Sequence, residues 1–93
     1  MTIEVKFFSL LRLELKEAGT SYQLDNEITV QELIELLDRE YDGLFSDKLI
    51  EASQIKTGTI ILVDGDNVIH LNGLDTVIKD GATISIFPPS GGG

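Results

Sequence analysis

The residues with the clearest chemical use in this chain carry no side chains. The sequence closes on Ile84-Ser85-Ile86-Phe87-Pro88-Pro89-Ser90-Gly91-Gly92-Gly93, and the reactive group this stretch offers is the carboxylate of Gly93. Residues 83–87 alternate polar and apolar and are rich in β-branched types, the pattern of a half-buried strand. Pro88 and Pro89 have no backbone N–H to donate, so pairing must end there, and their fixed φ directs the chain away in an extended path. Three glycines follow, with nothing to pack and the widest conformational freedom of any residue. Such a segment cannot stabilise a fold, so its use lies in where its end can go. At about 3.3–3.6 Å per residue, the chain beyond Pro89 carries the carboxylate roughly 13 Å away. That reach suffices to enter a narrow channel in another protein, and only glycine keeps a strand thin enough to pass. A frayed terminus is the plain alternative. The direct join of strand, Pro-Pro stop and glycines favours a working tail.

The rest of the chain offers little competing chemistry. Cysteine is absent, which removes a disulfide framework, a thiolate zinc site and a Cys nucleophile together. His70 is the only histidine, and no Ser-His-acid constellation surrounds it. Asp64-Gly65-Asp66-Asn67 begins like a calcium loop, but Val68 stands where the third oxygen ligand should be, so the stretch reads as a turn. Glycines 43, 58, 65, 73 and 81 are scattered singly, with no phosphate-cradling loop among them. The expectation is a protein without enzyme apparatus, holding no cofactor or metal of its own.

Sixteen acidic residues against seven basic give a formal charge of −9, which argues against nucleic acid or an anionic membrane as partner. The same charge suits steering toward a basic patch on a protein, or serves solubility alone. At 93 residues the chain makes one domain, large enough to bury about 60–65% of its unfolded surface. It has no bilayer-length apolar run and no basic-then-apolar leader, so a cytoplasmic protein is expected.

Residues 2–8 alternate, with Ile3, Val5 and Phe7 on the face expected to meet the core. Residues 10–19 read as a short helix capped by Ser9 and stopped at Gly19, although Leu11, Leu13 and Leu15 also alternate as in a strand. A second strand is expected over 21–24. The clearest helix starts at Thr29, which forms a capping box with Glu32, and Val30, Leu33, Ile34, Leu37 and Tyr41 fall on one face before Asp42-Gly43. In residues 44–58, Leu44, Phe45, Leu49, Ile50 and Ile55 supply anchors around one short helical turn. Strands are expected over 59–63, 67–70 and 83–87, separated by turns at Asp64-Gly65, Asn72-Gly73 and Asp80-Gly81. Leu74 and either Val77 or Ile78 plug the core. The sum is an α+β layer fold, a mixed sheet of about five strands packed on one main helix, with the first and last strands parallel at the centre.

Several of these stretches together resemble a known family. Ile3-Glu-Val-Lys-Phe-Phe8, Thr29-Val30-Gln-Glu-Leu33, Leu74-Asp75-Thr76 and Lys79-Asp-Gly-Ala-Thr-Ile-Ser-Ile-Phe-Pro-Pro89 before a terminal Gly-Gly are similar to the ubiquitin-like sulfur carriers of β-grasp fold. The likeness is nearest to the small subunit of molybdopterin synthase and its archaeal modifier relatives, and it covers nearly the whole chain. This chain is longer than the typical thiazole-forming carrier, and its end is Ser-Gly-Gly-Gly, so Gly91 stands behind the working pair Gly92-Gly93. The resemblance implies a β-grasp domain over residues 1–89 and a flexible glycine tail over 90–93.

It also implies a division of labour. A terminal carboxylate has a pKa of roughly 3.5 and is ionised and unreactive at neutral pH. In proteins of this kind an E1-like partner spends ATP to adenylate it, a sulfur donor protein converts the acyl group to a thiocarboxylate, and a second enzyme receives the sulfur. For molybdopterin or its tungsten counterpart that enzyme is the synthase large subunit; thiazole and cysteine routes use the same tail chemistry. In modifier relatives the activated glycine is joined to a target lysine. By alternation Phe8 and Phe87 point outward on adjacent strands, an apolar patch that reads as an interface, unless the 44–58 segment buries them. Together with Val68, Pro88, Pro89 and Gly91 they form the expected partner-binding set.

Overall fold

The computed structural model describes residues 1–89. The expected site residues Gly91, Gly92 and Gly93, and the flexible character expected of 90–93, lie outside the described residues.

The first strand, β1 (Thr2–Phe7), alternates as its sequence requires: Ile3, Val5 and Phe7 are buried and the residues between them exposed. It runs into α1 (Ser9–Leu15), and here the structure resolves the ambiguity of Leu11, Leu13 and Leu15. Leu11 is buried and Leu15 partly so, a spacing of four that shares one helical face, while Leu13 is 72% exposed. Two expected boundaries are corrected. Phe8, not Ser9, is the N-cap, with no side-chain hydrogen bond, and the helix stops at Lys16 in the left-handed region, whose N–H donates to the Arg12 carbonyl. Gly19 is no helix stop. It opens β2 (Gly19–Gln23) opposite Lys6, where a Cβ would stand 2.1 Å from the Val5 carbonyl oxygen. Glycine is required there because two backbones pass too closely for any side chain. Gly19→Ala is therefore expected to cost about 1–3 kcal/mol, read as a lower urea midpoint.

After β3 (Ile28–Thr29) comes the main helix, α2 (Val30–Glu40). Its capping box forms: the Glu32 N–H donates to Thr29 Oγ1 at 3.1 Å, and the Thr29 N–H donates to Glu32 Oε1 at 2.9 Å, together stabilising the start by about 1 kcal/mol. Val30, Leu33, Ile34 and Leu37 are buried. Gly43 at φ +79° ends this turn and starts α3 (Leu44–Leu49), which buries Phe45 and Leu49 as core anchors. The Asp38 carboxylate ties the two helices by accepting from the N–H and the hydroxyl of Ser46. A tight hairpin follows, β4 (Ile50–Glu51) with β5 (Gln54–Ile55).

β6 (Ile60–Val63) turns at Asp64-Gly65 into β7 (Asp66–Asn67). The strand expected over 67–70 is only this stub. The Asn67 side chain accepts from the Ile69 N–H at 3.1 Å and winds Val68–His70 into a 3-10 turn, a local hydrogen bond outcompeting the ladder. A second 3-10 turn, Gly73–Asp75, leads to β8 (Val77–Ile78) and then to β9 (Thr83–Phe87). Ile78 enters the core, and Val77 is 46% exposed.

The five-stranded sheet has the order β2-β1-β9-β6-β7. β9 lies at its centre, parallel to β1 with Val5 opposite Ile84, and antiparallel to β6 with Phe87 opposite Ile60. The core fills the space between one face of this sheet and α2 with α3. The Phe7 ring meets Phe45 at 5.3 Å and Tyr41 edge-on at 5.7 Å.

Two tyrosine hydroxyls tie this layer to its edge, Tyr22 donating to Glu40 at 2.6 Å and Tyr41 to Glu17 at 2.5 Å. Desolvation first, and the carboxylate acceptor second, push both phenols above their ordinary value of 10.0. A raised folded-state pKa gives stability that is complete below the unfolded value and lost as pH rises beyond it. Thermal stability is thus expected to show no tyrosine-linked loss through neutral pH and to fall above about pH 10, with Tyr22→Phe reducing the fall.

Candidate partner-binding surface and chain exit

The sheet face opposite the helices is set by strand register. In β9 the buried row is Ile84 and Ile86, so Thr83, Ser85 and Phe87 point the other way. Phe8 follows β1 in extended conformation, its N–H donating to the Ile86 carbonyl at 3.1 Å, which turns its ring to the same outer face. The two rings lie flat on each other, centroids 4.5 Å apart and planes 10° from parallel. Both are half-buried, because each covers a face of the other. The 44–58 segment does not bury them as a core pair, since its Phe45 packs on the opposite side against Phe7.

A third member of this patch escaped the sequence reading. Ile60 pairs with Phe87 across the ladder and is 42% exposed. Residues 59–63 look like a uniformly buried strand, yet Ile61 is buried while Ile60 faces out. The register against Phe87 is the signal that separates them, and register is a tertiary fact.

Two expected partner contacts are corrected. Val68 is completely buried. Alternation would face it outward only if 67–70 were strand, and the 3-10 turn rotates it into the core instead. Pro88 is also buried, its ring continuing the inward row of Ile84 and Ile86. It anchors the end of β9 rather than offering a surface. Pro89 is half-buried and crosses Gly58, where an added Cβ would meet the Pro89 Cβ at 3.4 Å. The last described residues are thereby pinned at one point, beside the Phe8–Phe87 stack and at the end of the sheet's central strand.

His70 is exposed, and among the described residues no group of three or more His, Cys, Asp or Glu is placed to hold a metal ion. Among them, too, no helix is long and apolar enough to cross a membrane.

Known proteins share this fold. The chain is 36% identical over 93 residues, the full length of both, to Small archaeal modifier protein 3 of Haloferax volcanii. The solution structure of the Haloferax volcanii HVO 2177 protein matches all of this chain and 87% of its own, with TM-score 0.83 and 34% identity. A chain in the crystal structure of the Amycolatopsis orientalis BexX/CysO complex matches at TM-score 0.78 and 25% identity, over 98% of this chain and 99% of that one. These neighbours share the β-grasp, ubiquitin-like fold, one mixed five-stranded sheet wrapped on a main helix. The model of the ThiS family matches residues 5–93, from the first strand through the terminal glycines. By that match and by the full-length identity, the chain belongs to the ThiS family of ubiquitin-like sulfur carriers and modifiers, small proteins that are not catalytic enzymes.

Proposed function

We propose that the chain is a sulfur carrier whose working group is the Gly93 carboxylate. An E1-like enzyme adenylates it with ATP, releasing pyrophosphate and making AMP the leaving group. A sulfur nucleophile from a donor protein then displaces AMP: sulfide gives the thiocarboxylate directly, and a persulfide gives an acyl disulfide that a thiol reduces to it. The sulfur passes to a precursor held by a second enzyme, in our reading the large subunit of molybdopterin synthase. The observation that carries this reading is the exit. The central strand ends in a buried Pro88 and a half-buried Pro89 beside Gly58, so the fold holds the root of a glycine segment. Absence of cysteine suits the role, because no internal thiol can intercept the activated acyl group.

A second reading has its own support. Full-length similarity to a small archaeal modifier favours transfer of the same activated acyl group to a lysine amine, forming an isopeptide bond. Both readings share the adenylation step. It is tested by adding the chain to the activating enzyme and following ATP–pyrophosphate exchange, which should depend on carrier concentration. Absence of exchange contradicts both.

The Phe8–Phe87 stack with Ile60 is the expected docking face for this encounter. Phe87→Glu should weaken partner binding at least tenfold while the domain still unfolds cooperatively at a modestly lower temperature. The stack itself contributes about 0.5–1.5 kcal/mol. Collapse of the fold would instead place Phe87 among the core residues.

A further inference from the structure

The two edges of the main sheet are unequal: β7 at one has two residues, and β2 at the other has five. Among the described residues β2 pairs with β1 alone, in an unbroken antiparallel register from Thr2 opposite Gln23 to Lys6 opposite Gly19. The Phe7 N–H donates to the Ala18 carbonyl at one end of this ladder, and the Leu24 N–H donates to the Met1 carbonyl at the other. The alternation of an antiparallel ladder then turns the backbone groups of Thr20 and Tyr22 toward β1, and those of Gly19, Ser21 and Gln23 away from the sheet. Such a row of outward N–H and C=O groups is a template for another strand, which proteins ordinarily blunt with charge, proline or a bulge. Residues 19–23, Gly-Thr-Ser-Tyr-Gln, have none of these. The absent side chain of Gly19 also leaves a shallow hollow against Glu4, Lys6 and Ser21, room for a side chain of an added strand.

Charge gives the edge a direction. Glu4 and Lys6 on β1 offset each other, as do Lys16 and Glu17 before the strand. Beyond Gln23 come Asp25 and Glu27, and Glu40 accepts from the Tyr22 hydroxyl at 2.6 Å while keeping its charge, against Arg39 alone. The Gln23 end is therefore acidic and the Gly19 end near neutral. We propose that β2 takes up an extended segment of another protein as a sixth, antiparallel strand, with basic residues just before that segment lying at the Gln23 end. Backbone hydrogen bonds supply the hold, and charge sets the direction. A second copy of this chain fits less well. In the symmetric pairing about Ser21 its acidic end would meet a near-neutral one, and each copy carries a formal charge of −9. β2 stands two strands from β9, so this edge is separate from the Phe8–Phe87 stack and the proposal does not rest on the carrier reading.

The test uses the full-length chain and the capped peptide Lys-Lys-Val-Thr-Val-Thr-Val, followed by amide hydrogen exchange and by backbone NMR shifts during titration. In the free protein the Thr20 and Tyr22 amides should be protected and those of Gly19, Ser21 and Gln23 should exchange freely. Saturating peptide should slow these three about tenfold or more. N-methylation of the three valines, whose N–H groups face β2 in this register, should weaken binding about tenfold or more. N-methylation of the two threonines should not. Moving the two lysines to the other end, or replacing them with glutamates, should weaken binding about fivefold, a difference that about 1 M salt removes. Ser21→Pro deletes an outward N–H that the β1 ladder does not use, so the domain should still unfold cooperatively while binding is lost. Undiminished binding of the valine-methylated peptide overturns the proposal, as do shifts centred away from β2, binding indifferent to the placement of the lysines, or no binding at millimolar peptide. A concentration-dependent dimer that protects the same three amides without peptide also overturns it, by making a second copy the occupant.

Discussion

Deleting Gly93 should abolish activation by the E1-like partner and leave the domain as stable as before. Among the described residues, every buried apolar residue of the core lies between Ile3 and Ile86, and Pro88 is buried at the end of β9. The prediction turns on the carboxylate, which shortening the tail withdraws by about 3.3–3.6 Å. Misplacement of reacting atoms by about 1 Å already costs on the order of 100-fold in rate. Gly92 has the same chemistry as Gly93, so the expected loss is one of position alone. ATP–pyrophosphate exchange should fall at least 100-fold, and denaturant unfolding should superimpose on that of wild type. A shortened chain that is activated normally would show that reach is not what the tail supplies.

Phe7→Ala should have the largest effect on the fold. Phe7 ends β1 fully buried and touches both Tyr41, the C-cap of α2, and Phe45 of α3. One ring thus joins the sheet to both helices. Truncation of a buried Phe costs about 3–5 kcal/mol, against a total stability on the order of 5–15 kcal/mol for a domain. The urea midpoint should fall by about a fifth or more, and the variant should be partly unfolded near 37 °C if the wild type lies at the low end. The neighbouring Phe8, one residue on and half-buried in its stack, should cost much less on the same substitution. Equal losses at the two positions would contradict the assignment of opposite faces.

The contrast between these neighbours shows what the sequence could reveal. Alternation over residues 2–8 is enough to assign Phe7 inward and Phe8 outward, and the Thr29–Glu32 box marks the helix start from two side chains three residues apart. Both signals are local. The parallel pairing expected of the first and last strands is found as β1 beside β9. What stayed hidden depended on contacts distant in sequence or on a small hydrogen bond. Gly19 reads as a helix stop, and its actual reason is the Val5 carbonyl on the adjacent strand. Val68 reads as an outward strand residue, and the Asn67 side chain turns it inward. Ile60 reads as core until the register against Phe87 exposes it. Pro88 reads as a partner contact and proves to be the last residue of the buried row.

On the reading proposed above, the chemistry of this protein is performed on its own C-terminal carboxyl group, and intact-mass analysis of the chain isolated from the cells that make it would reveal the product. The expected finding is a full-length species in which one oxygen at Gly93 is replaced by sulfur, or, in the modifier reading, Gly-Gly remnants branched from target lysines. A full-length chain bearing only an ordinary carboxylate, with no such branches on any protein, would contradict it.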